Sequence, residues 1–178
     1  MAPIERIVVL MMENHAFDRV LGWTTALHPG LAGVHPAHPL ANPDYPSGPP
    51  VFQAPTRARN IPHDPGHDLH NVIRQIDGGA NAGFITDYAQ LYPQAGRTER
   101  EQIMAWYPRG ALPALHALAE QFVVADHWFS SMPGPTWPNR FFAHTGTSLG
   151  HVDMPEGIFS PGVHWYDQRT LYDELSDA

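Results

Sequence analysis

Two uninterrupted apolar runs stand out along the chain. Residues 7–12 (IVVLMM) and residues 122–125 (FVVA) contain no polar side chain. Runs of this length without polar alternation are typical of strands that are buried on both faces of a sheet. Polar residues follow each run at once, Glu13 and Asn14 after the first and Asp126 after the second. Ligands of open α/β sheets bind at the carboxyl ends of the strands, so the pattern predicts a site at that edge.

Helical spacing predicts a helix between the two runs. The apolar positions that recur on one face of this helix are Leu69, Val72, Ile73 and Ile76. Asp64 and Pro65 suit the N-cap and the first helical position, and the glycines at 78 and 79 suit the end. The sequence therefore predicts a helix that begins at residue 65 and includes His67 in its first turn.

Capping residues mark further helix starts. Thr98 with Glu101 matches a capping box, and Pro113 suits a first helical position. Thr136 follows the turn formed by residues 133–135 and is expected to cap a helix that continues to Thr145. A last helix is expected to begin at Thr170 and to run on to the chain end without a stop signal.

Residues 28–65 differ in composition from the rest of the chain. This stretch holds ten of the nineteen prolines and few apolar runs. Such a composition predicts an excursion over the surface rather than a part of the core. Its length is typical of a lid or a loop that faces substrate.

The charge and composition exclude several function classes. A net charge of −8 over 178 residues argues against broad electrostatic binding to nucleic acid or to an anionic membrane. The absence of cysteine excludes thiolate metal sites and thiol nucleophiles, so metal ligands must be oxygen or imidazole. We find no secretory signal and no apolar stretch of membrane-spanning length, and we expect the chain as written to be cytoplasmic.

Glu13 and Asn14 are the first candidate site residues. A carboxylate and an amide oxygen beside each other are hard ligands that suit a divalent cation. On the dipeptide alone, an ordinary helix start is the more common explanation. Thr136 is the second candidate, because a hydroxyl at a helix start lies beside amides that favour phosphate. A simple N-cap is the alternative for Thr136, and surface hydrogen bonding is the alternative to phosphoryl contact for Asn139 and Arg140.

Histidine-rich residues 63–68 (HDPGHD) form the densest cluster of titratable groups. A metal site, a phosphate-binding pair and a solvated helix start all remain open for His63 and His67. His144 lies about two turns into the helix of Thr136, and we expect it to be packed rather than catalytic. The motifs of the α/β-hydrolase elbow, the P-loop, the zincins and the dinucleotide-binding folds are absent from the sequence.

Three motifs resemble one family. These are residues 7–18 (IVVLMMENHAFD) with Gly22, residues 64–67 (DPGH), and residues 128–140 (WFSSMPGPTWPNR) running on to 145–148 (TGTS). They resemble the bacterial phosphoesterases that include non-haemolytic phospholipases C and acid phosphatases. The resemblance implies an alkaline-phosphatase-like α/β fold in which helices flank a central, mainly parallel sheet, incomplete at the C-terminus. It identifies residues 1–178 as the N-terminal part of a catalytic domain.

The resemblance also implies residue roles. Glu13, Asn14 and Thr136 would bind one divalent metal ion of unknown identity, Thr136 would be the nucleophile, and His67 would contact the phosphoryl group. Asn139 is added as a candidate catalytic residue because it follows Thr136 by one helical turn. The reaction implied is hydrolysis of a phospholipid or small-molecule phosphate ester through a phospho-threonine intermediate. Related proteins are often exported.

The chain departs from the family pattern in two places. His15 and Ala16 stand where the family often has Arg-Ser, which is outside the ligands. A downstream acidic pair that completes the family's metal shell is absent, so we expect this chain alone to be inactive. The alternatives are a metal-free or degenerate binding module of the same fold, and a purely structural domain. The substrate head group and the oligomeric state are not defined by the sequence.

Overall fold

Helices and loops make up most of the chain. The computed structural model describes residues 6–154 and 166–177. The α-helices in these residues are α1 (Phe17–Val20), α2 (Leu69–Ile76), α3 (Phe84–Leu91), α4 (Arg97–Glu101), α5 (Pro113–Gln121), α6 (Thr136–Thr145) and α7 (Leu171–Ser176). The strands are β1 (Ala41–Asn42), β2 (Val51–Phe52), β3 (Ala54–Pro55) and β4 (Ala105–Trp106). Short 3-10 helices cover Gly22–Ala26, Asp77–Gly79 and Gln102–Met104. The class is therefore mixed α/β with small sheets.

The two predicted buried strands are not present in the structure. Residues 7–12 and 122–125 have no strand pairing, and Val8 and Val123 are 91% and 97% exposed. The strands of the described residues form two sheets of two strands each and pair only with one another. An apolar run becomes a buried strand only when neighbouring strands and covering helices are present on both sides. These described residues supply no such neighbours for either run.

The proline-rich stretch contributes to the core as well as to the surface. β1 and β2 form an antiparallel pair within it, and β3 pairs in parallel with β4 from outside it. Most of its prolines lie in loops, but Val34 and Val51 are fully buried. The stretch is therefore anchored to the rest of the chain at these points.

The core next to α1 is built around two tryptophans. Trp23, Val34 and Trp106 form one buried cluster. Arg19 of α1 is buried beside this cluster and donates to the carbonyl oxygens of Gln102 and Ala105 at 2.6 and 3.2 Å. Its guanidinium also lies over the ring of Tyr107 at 5.2 Å. A buried charge requires such partners, so Arg19 fixes α1 against residues 102–107.

Two arginines of α4 hold the proline-rich stretch. The carboxylate of Asp44 is only 4% exposed and lies 2.8 Å from Arg97 and 2.8 Å from Arg100. Hydrogen bonding to the Arg100 guanidinium is the main cause that lowers the pKa of Asp44 to about 2. The helix itself begins at Arg97 after Gly96, without a side-chain cap, so the predicted capping box of Thr98 and Glu101 is wrong.

A buried carboxylate joins α2 and α3. Asp87 accepts hydrogen bonds from the side chains of Asn71, Arg74 and Gln75 at 2.8 to 2.9 Å. Gln75 also donates to the carbonyl oxygen of Gly66 at 2.6 Å. The helix begins at Leu69 with Asp68 as N-cap, so the predicted start at Pro65 is wrong by one turn. Residues 64–67 form a loop that Gln75 ties to this network.

The later helices follow the sequence pattern more closely. α5 begins at Pro113 and α6 covers Thr136–Thr145, as predicted. Pro135 occupies the N-cap position, which makes Thr136 the first residue of α6 rather than its cap. α7 begins with a capping box between Thr170 and Asp173. It ends at Ser176 and Asp177 is already outside it, so the expectation that this helix continues to the chain end is wrong.

His116 is a buried imidazole in a fixed tautomer. Its Nδ1 accepts from the backbone N–H of Gly110 at 2.9 Å, so its Nε2 carries the proton and donates to the carbonyl of Val20 at 3.0 Å. The ring is 2% exposed and packs against Trp23 at 4.8 Å. Burial lowers the pKa of His116, because the charged form loses solvation.

We predict that this imidazole makes the fold sensitive to acid. The pKa of His116 in the folded chain lies below the unfolded value of about 6.5, so its contribution to stability is complete above that value. The contribution is lost as the pH falls through the folded pKa, because protonation removes the acceptor of the Gly110 N–H. Urea midpoints at pH 7.5 and pH 5 should differ more for the wild type than for His116→Gln. His38→Gln, at an exposed histidine, should behave like the wild type; equal pH dependence in all three would contradict the prediction.

Candidate metal and phosphate site

The side chains of Asn14 and Thr136 meet although 122 residues separate them. The Thr136 hydroxyl donates to the Asn14 side-chain oxygen at 3.2 Å. Asn14 has a φ of 63°, a left-handed conformation that asparagine tolerates better than most residues. Asn14 leads into α1, and Thr136 is the first residue of α6. Two helix starts therefore bring an amide oxygen and a hydroxyl together at the surface.

Glu13 lies beside this contact and pairs with Arg140. Arg140 Nε donates to Glu13 Oε2 at 3.0 Å, and Arg140 Nη2 donates to Glu13 Oε1. The guanidinium also lies 5.5 Å from the ring centre of Trp137. Hydrogen bonding to Arg140 is the main cause that lowers the pKa of Glu13. This fork-shaped pair joins the segment of Glu13 to α6 one turn after Thr136.

Asn139 holds the turn that presents Thr136. Its side-chain oxygen accepts from the Met132 N–H at 3.1 Å. Its side-chain nitrogen donates to the carbonyls of Met132, Gly134 and Pro135 at 3.1 to 3.2 Å. The side chain that the sequence suggested as catalytic is thus bonded to residues 132–135. A direct contact with substrate stays a prediction for Asn139.

His67 is not joined to Thr136 by a hydrogen bond in the described residues. Its side chain is 58% exposed and its Nδ1 lies 3.1 Å from the carbonyl of Pro65. It stands in the loop before α2 and not in a first helical turn. His144 is exposed and packs through a ring contact with Tyr172 at 5.5 Å, so the expectation that it is not catalytic stays a prediction.

His63 has side-chain partners that the spacing of residues 63–68 did not indicate. Its Nδ1 lies 2.6 Å from the carboxylate of Glu99, which also accepts from the Tyr88 hydroxyl at 2.6 Å. Its ring stacks on Tyr92 at 4.6 Å. Hydrogen bonding to His63 is the main cause that lowers the pKa of Glu99, whereas burial raises the pKa of Tyr88. Glu99 lies 36 residues away in sequence, so local spacing carried no signal for this pairing.

The oxygen donors at the two helix starts suit a divalent cation in type but not in number. A carboxylate, an amide oxygen and a hydroxyl are the ligands that Mg²⁺, Ca²⁺ or Mn²⁺ prefer. Glu13 is the single carboxylate among them, and Arg140 already occupies it. Within residues 6–154 and 166–177, no group of three His, Asp or Glu side chains is placed to hold a metal ion. The donor set therefore fits part of a metal shell.

Comparison with known proteins identifies the family. The chain matches the profile of the Phosphoesterase family over residues 4–178 and belongs to that family. It is similar to non-specific phospholipase C3 of Arabidopsis thaliana, with 32% identity over 190 residues, which is 99% of this chain and 35% of that protein. It is similar to phospholipase C B of Mycobacterium tuberculosis H37Rv, with 29% identity over 100% of this chain and 37% of that protein.

A third relative extends the range of organisms. Non-hemolytic phospholipase C of Burkholderia pseudomallei K96243 is 30% identical over 191 residues, which cover 91% of this chain and 25% of that protein. The chain thus spans about a third of the length of the curated relatives it matches.

In the residues that the structure describes, every helix is too short or too polar to cross a membrane.

We predict that Asn139 is needed for the shape of the turn before Thr136. Asn139→Ala removes four hydrogen bonds to the backbone of residues 132–135 and leaves their polar groups to water. The loss should lower the free energy of unfolding by about 1–2 kcal/mol in urea denaturation. Asn60→Ala, at an exposed asparagine, serves as the control and should change it by less than about 0.5 kcal/mol. Equal stability of the two variants would contradict this role.

Proposed function

We propose that this chain forms part of a metal-dependent hydrolase of phosphate esters, of the phospholipase C or acid phosphatase type. The observation that carries the proposal is the contact between Asn14 and Thr136, which come from two distant motifs, together with the pairing of Glu13 to Arg140 on the helix of Thr136. Membership of the Phosphoesterase family supports the same reaction class. The phospholipase names of the relatives favour a phospholipid as substrate.

The nucleophile in this proposal is the hydroxyl of Thr136. Its oxygen attacks phosphorus while the bond from phosphorus to the ester oxygen breaks, and the proton of the hydroxyl passes to that oxygen, which leaves as an alcohol. Water later cleaves the phospho-threonine ester, which restores the hydroxyl and releases phosphate or a phosphomonoester. A divalent ion, when bound by Glu13, Asn14 and Thr136, would lower the hydroxyl pKa and neutralise charge on the phosphoryl oxygens. Asn14 orients the hydroxyl through its side-chain oxygen, and Asn139 keeps the turn before α6 in place. His67 remains the proposed phosphoryl contact from the loop before α2.

We further propose that residues 7–12 and 122–125, which form no strand in this structure, become strands of a central, mainly parallel sheet in a chain of the relatives' length. Their neighbours would come from polypeptide that corresponds to the remaining length of the relatives. The supporting observation is the high exposure of these apolar residues, since chains rarely leave such runs in water. The same polypeptide would supply the further carboxylates that a dication requires. A degenerate binding module of the same fold is the alternative, and metal binding separates the two.

We predict that Glu13 is required for metal binding. Isothermal titration of the 178-residue chain with Mn²⁺ should give weak binding, because a single carboxylate undercompensates the dication. Glu13→Ala should abolish it. Glu101→Ala is the matched control, since Glu101 is also exposed and paired with an arginine, Arg97. A chain that binds no Mn²⁺, or that binds it equally after Glu13→Ala, would favour the metal-free module.

We predict negligible hydrolysis by this chain alone. The ion is held too weakly at one carboxylate to activate the Thr136 hydroxyl. A chain of the relatives' full length should hydrolyse a chromogenic phosphomonoester or a phosphocholine diester in the presence of divalent metal, and Thr136→Ala should remove that activity. Equal turnover by the two lengths of chain would show that the 178 residues are sufficient.

A further inference from the structure

Arg140 occupies the position of a counterion for Glu13. Its guanidinium donates to both carboxylate oxygens, and its Cζ lies over the ring of Trp137 at 5.5 Å. A bidentate fork of this kind uses the lone pairs that a metal ion would use on the same carboxylate. A dication that approached Glu13 from the side of Arg140 would meet lone pairs that the fork already uses, and would have to displace the guanidinium to reach them. Arg140 and a metal ion are therefore competitors for Glu13.

We propose that Arg140 is a displaceable counterion that leaves Glu13 when a dication binds and then holds a phosphoryl oxygen of the substrate. The proposal rests on the function proposed above. Arg140 and Thr136 are four residues apart on α6 and lie on the same face of that helix. A guanidinium released from Glu13 remains within reach of a phosphoryl group at the Thr136 hydroxyl, and planar donors suit phosphate.

The exposure of the pair makes the exchange feasible. The side chains of Arg140 and Glu13 are 45% and 41% exposed, so both can rehydrate when the pair opens. Exposed ion pairs contribute little net free energy, and a dication carries twice the charge of the guanidinium. A deeply buried pair would resist the same exchange, because each separated charge would lose its only partner.

The first test is competition for Mn²⁺. Arg140→Gln removes the competitor and should raise the Mn²⁺ affinity of the 178-residue chain about two- to fivefold in isothermal titration at fixed pH. Arg109→Gln is a matched control, because Arg109 also pairs with a glutamate, Glu120, and lies over a tryptophan, Trp23. It removes the same charge and should leave the Mn²⁺ affinity unchanged. The gain should vanish when Arg140→Gln is combined with Glu13→Gln.

The second test is the binding of inorganic phosphate to the Mn²⁺-loaded chain. Arg140→Gln should lower phosphate affinity although it raises Mn²⁺ affinity, whereas a merely structural role would move both affinities in the same direction. An unchanged or lower Mn²⁺ affinity in Arg140→Gln would overturn the exchange while leaving the metal site intact. Unchanged phosphate affinity, or none in the loaded wild type, would overturn the role of Arg140 in phosphate binding. Absence of Mn²⁺ binding in every variant would instead refute the metal site of the proposed function, and the exchange with it.

Discussion

The buried guanidinium of Arg19 is the contact on which the placement of the candidate site depends. Its bonds to the carbonyls of Gln102 and Ala105 and the backbone bond from Tyr107 N–H to Arg19 carbonyl, 2.8 Å long, hold α1 against β4. Val20 of α1 is itself buried and Trp23 packs in the neighbouring cluster, so these polar contacts fix α1 together with its apolar packing. Asn14 stands three residues before α1 and is carried to the surface where α6 begins. The location of Asn14 therefore follows from a contact made by a different part of the chain.

The helix starts that were predicted correctly have local causes, although the local signals for the starts of α2 and α4 were wrong. Pro113 starts α5, and the turn before Thr136 starts α6, because prolines and turns act on neighbouring residues. The capping box at Thr170 forms for the same reason. Residues 7–12 have the composition of a buried strand, yet strand formation depends on partners elsewhere in the chain. Local signals of similar clarity thus led to different outcomes, and the difference lies in what each element needs from its surroundings.

The candidate site also contains contacts that the sequence predicted and contacts that it did not. The family resemblance implied that Asn14 and Thr136 would share a metal ion, and their side chains do meet, although neither apolar run forms a strand. The contact between Asn14 and Thr136 forms without the predicted sheet, because α1 and α6 position the two residues. The loop of His67 is held by Gln75 and Asp87 of a separate network, and nothing in the sequence near His67 indicated that attachment. The sequence suggested Arg140 as a phosphate contact. It did not indicate the pairing of Arg140 with Glu13, which lies 127 residues away.

Strand partners and metal-binding carboxylates are both missing at the same edge of the described residues. Within residues 6–154 and 166–177, no strand pairs with residues 7–12, and no group of three His, Asp or Glu side chains is placed to balance a dication. Strands that paired with these runs in parallel would end at the same edge, where loops after strands supply ligands. A single complementing polypeptide would therefore remove both deficits, covering the apolar side chains and adding negative charge beside Glu13. Until such charge is present, the guanidinium of Arg140 is the cation that balances Glu13.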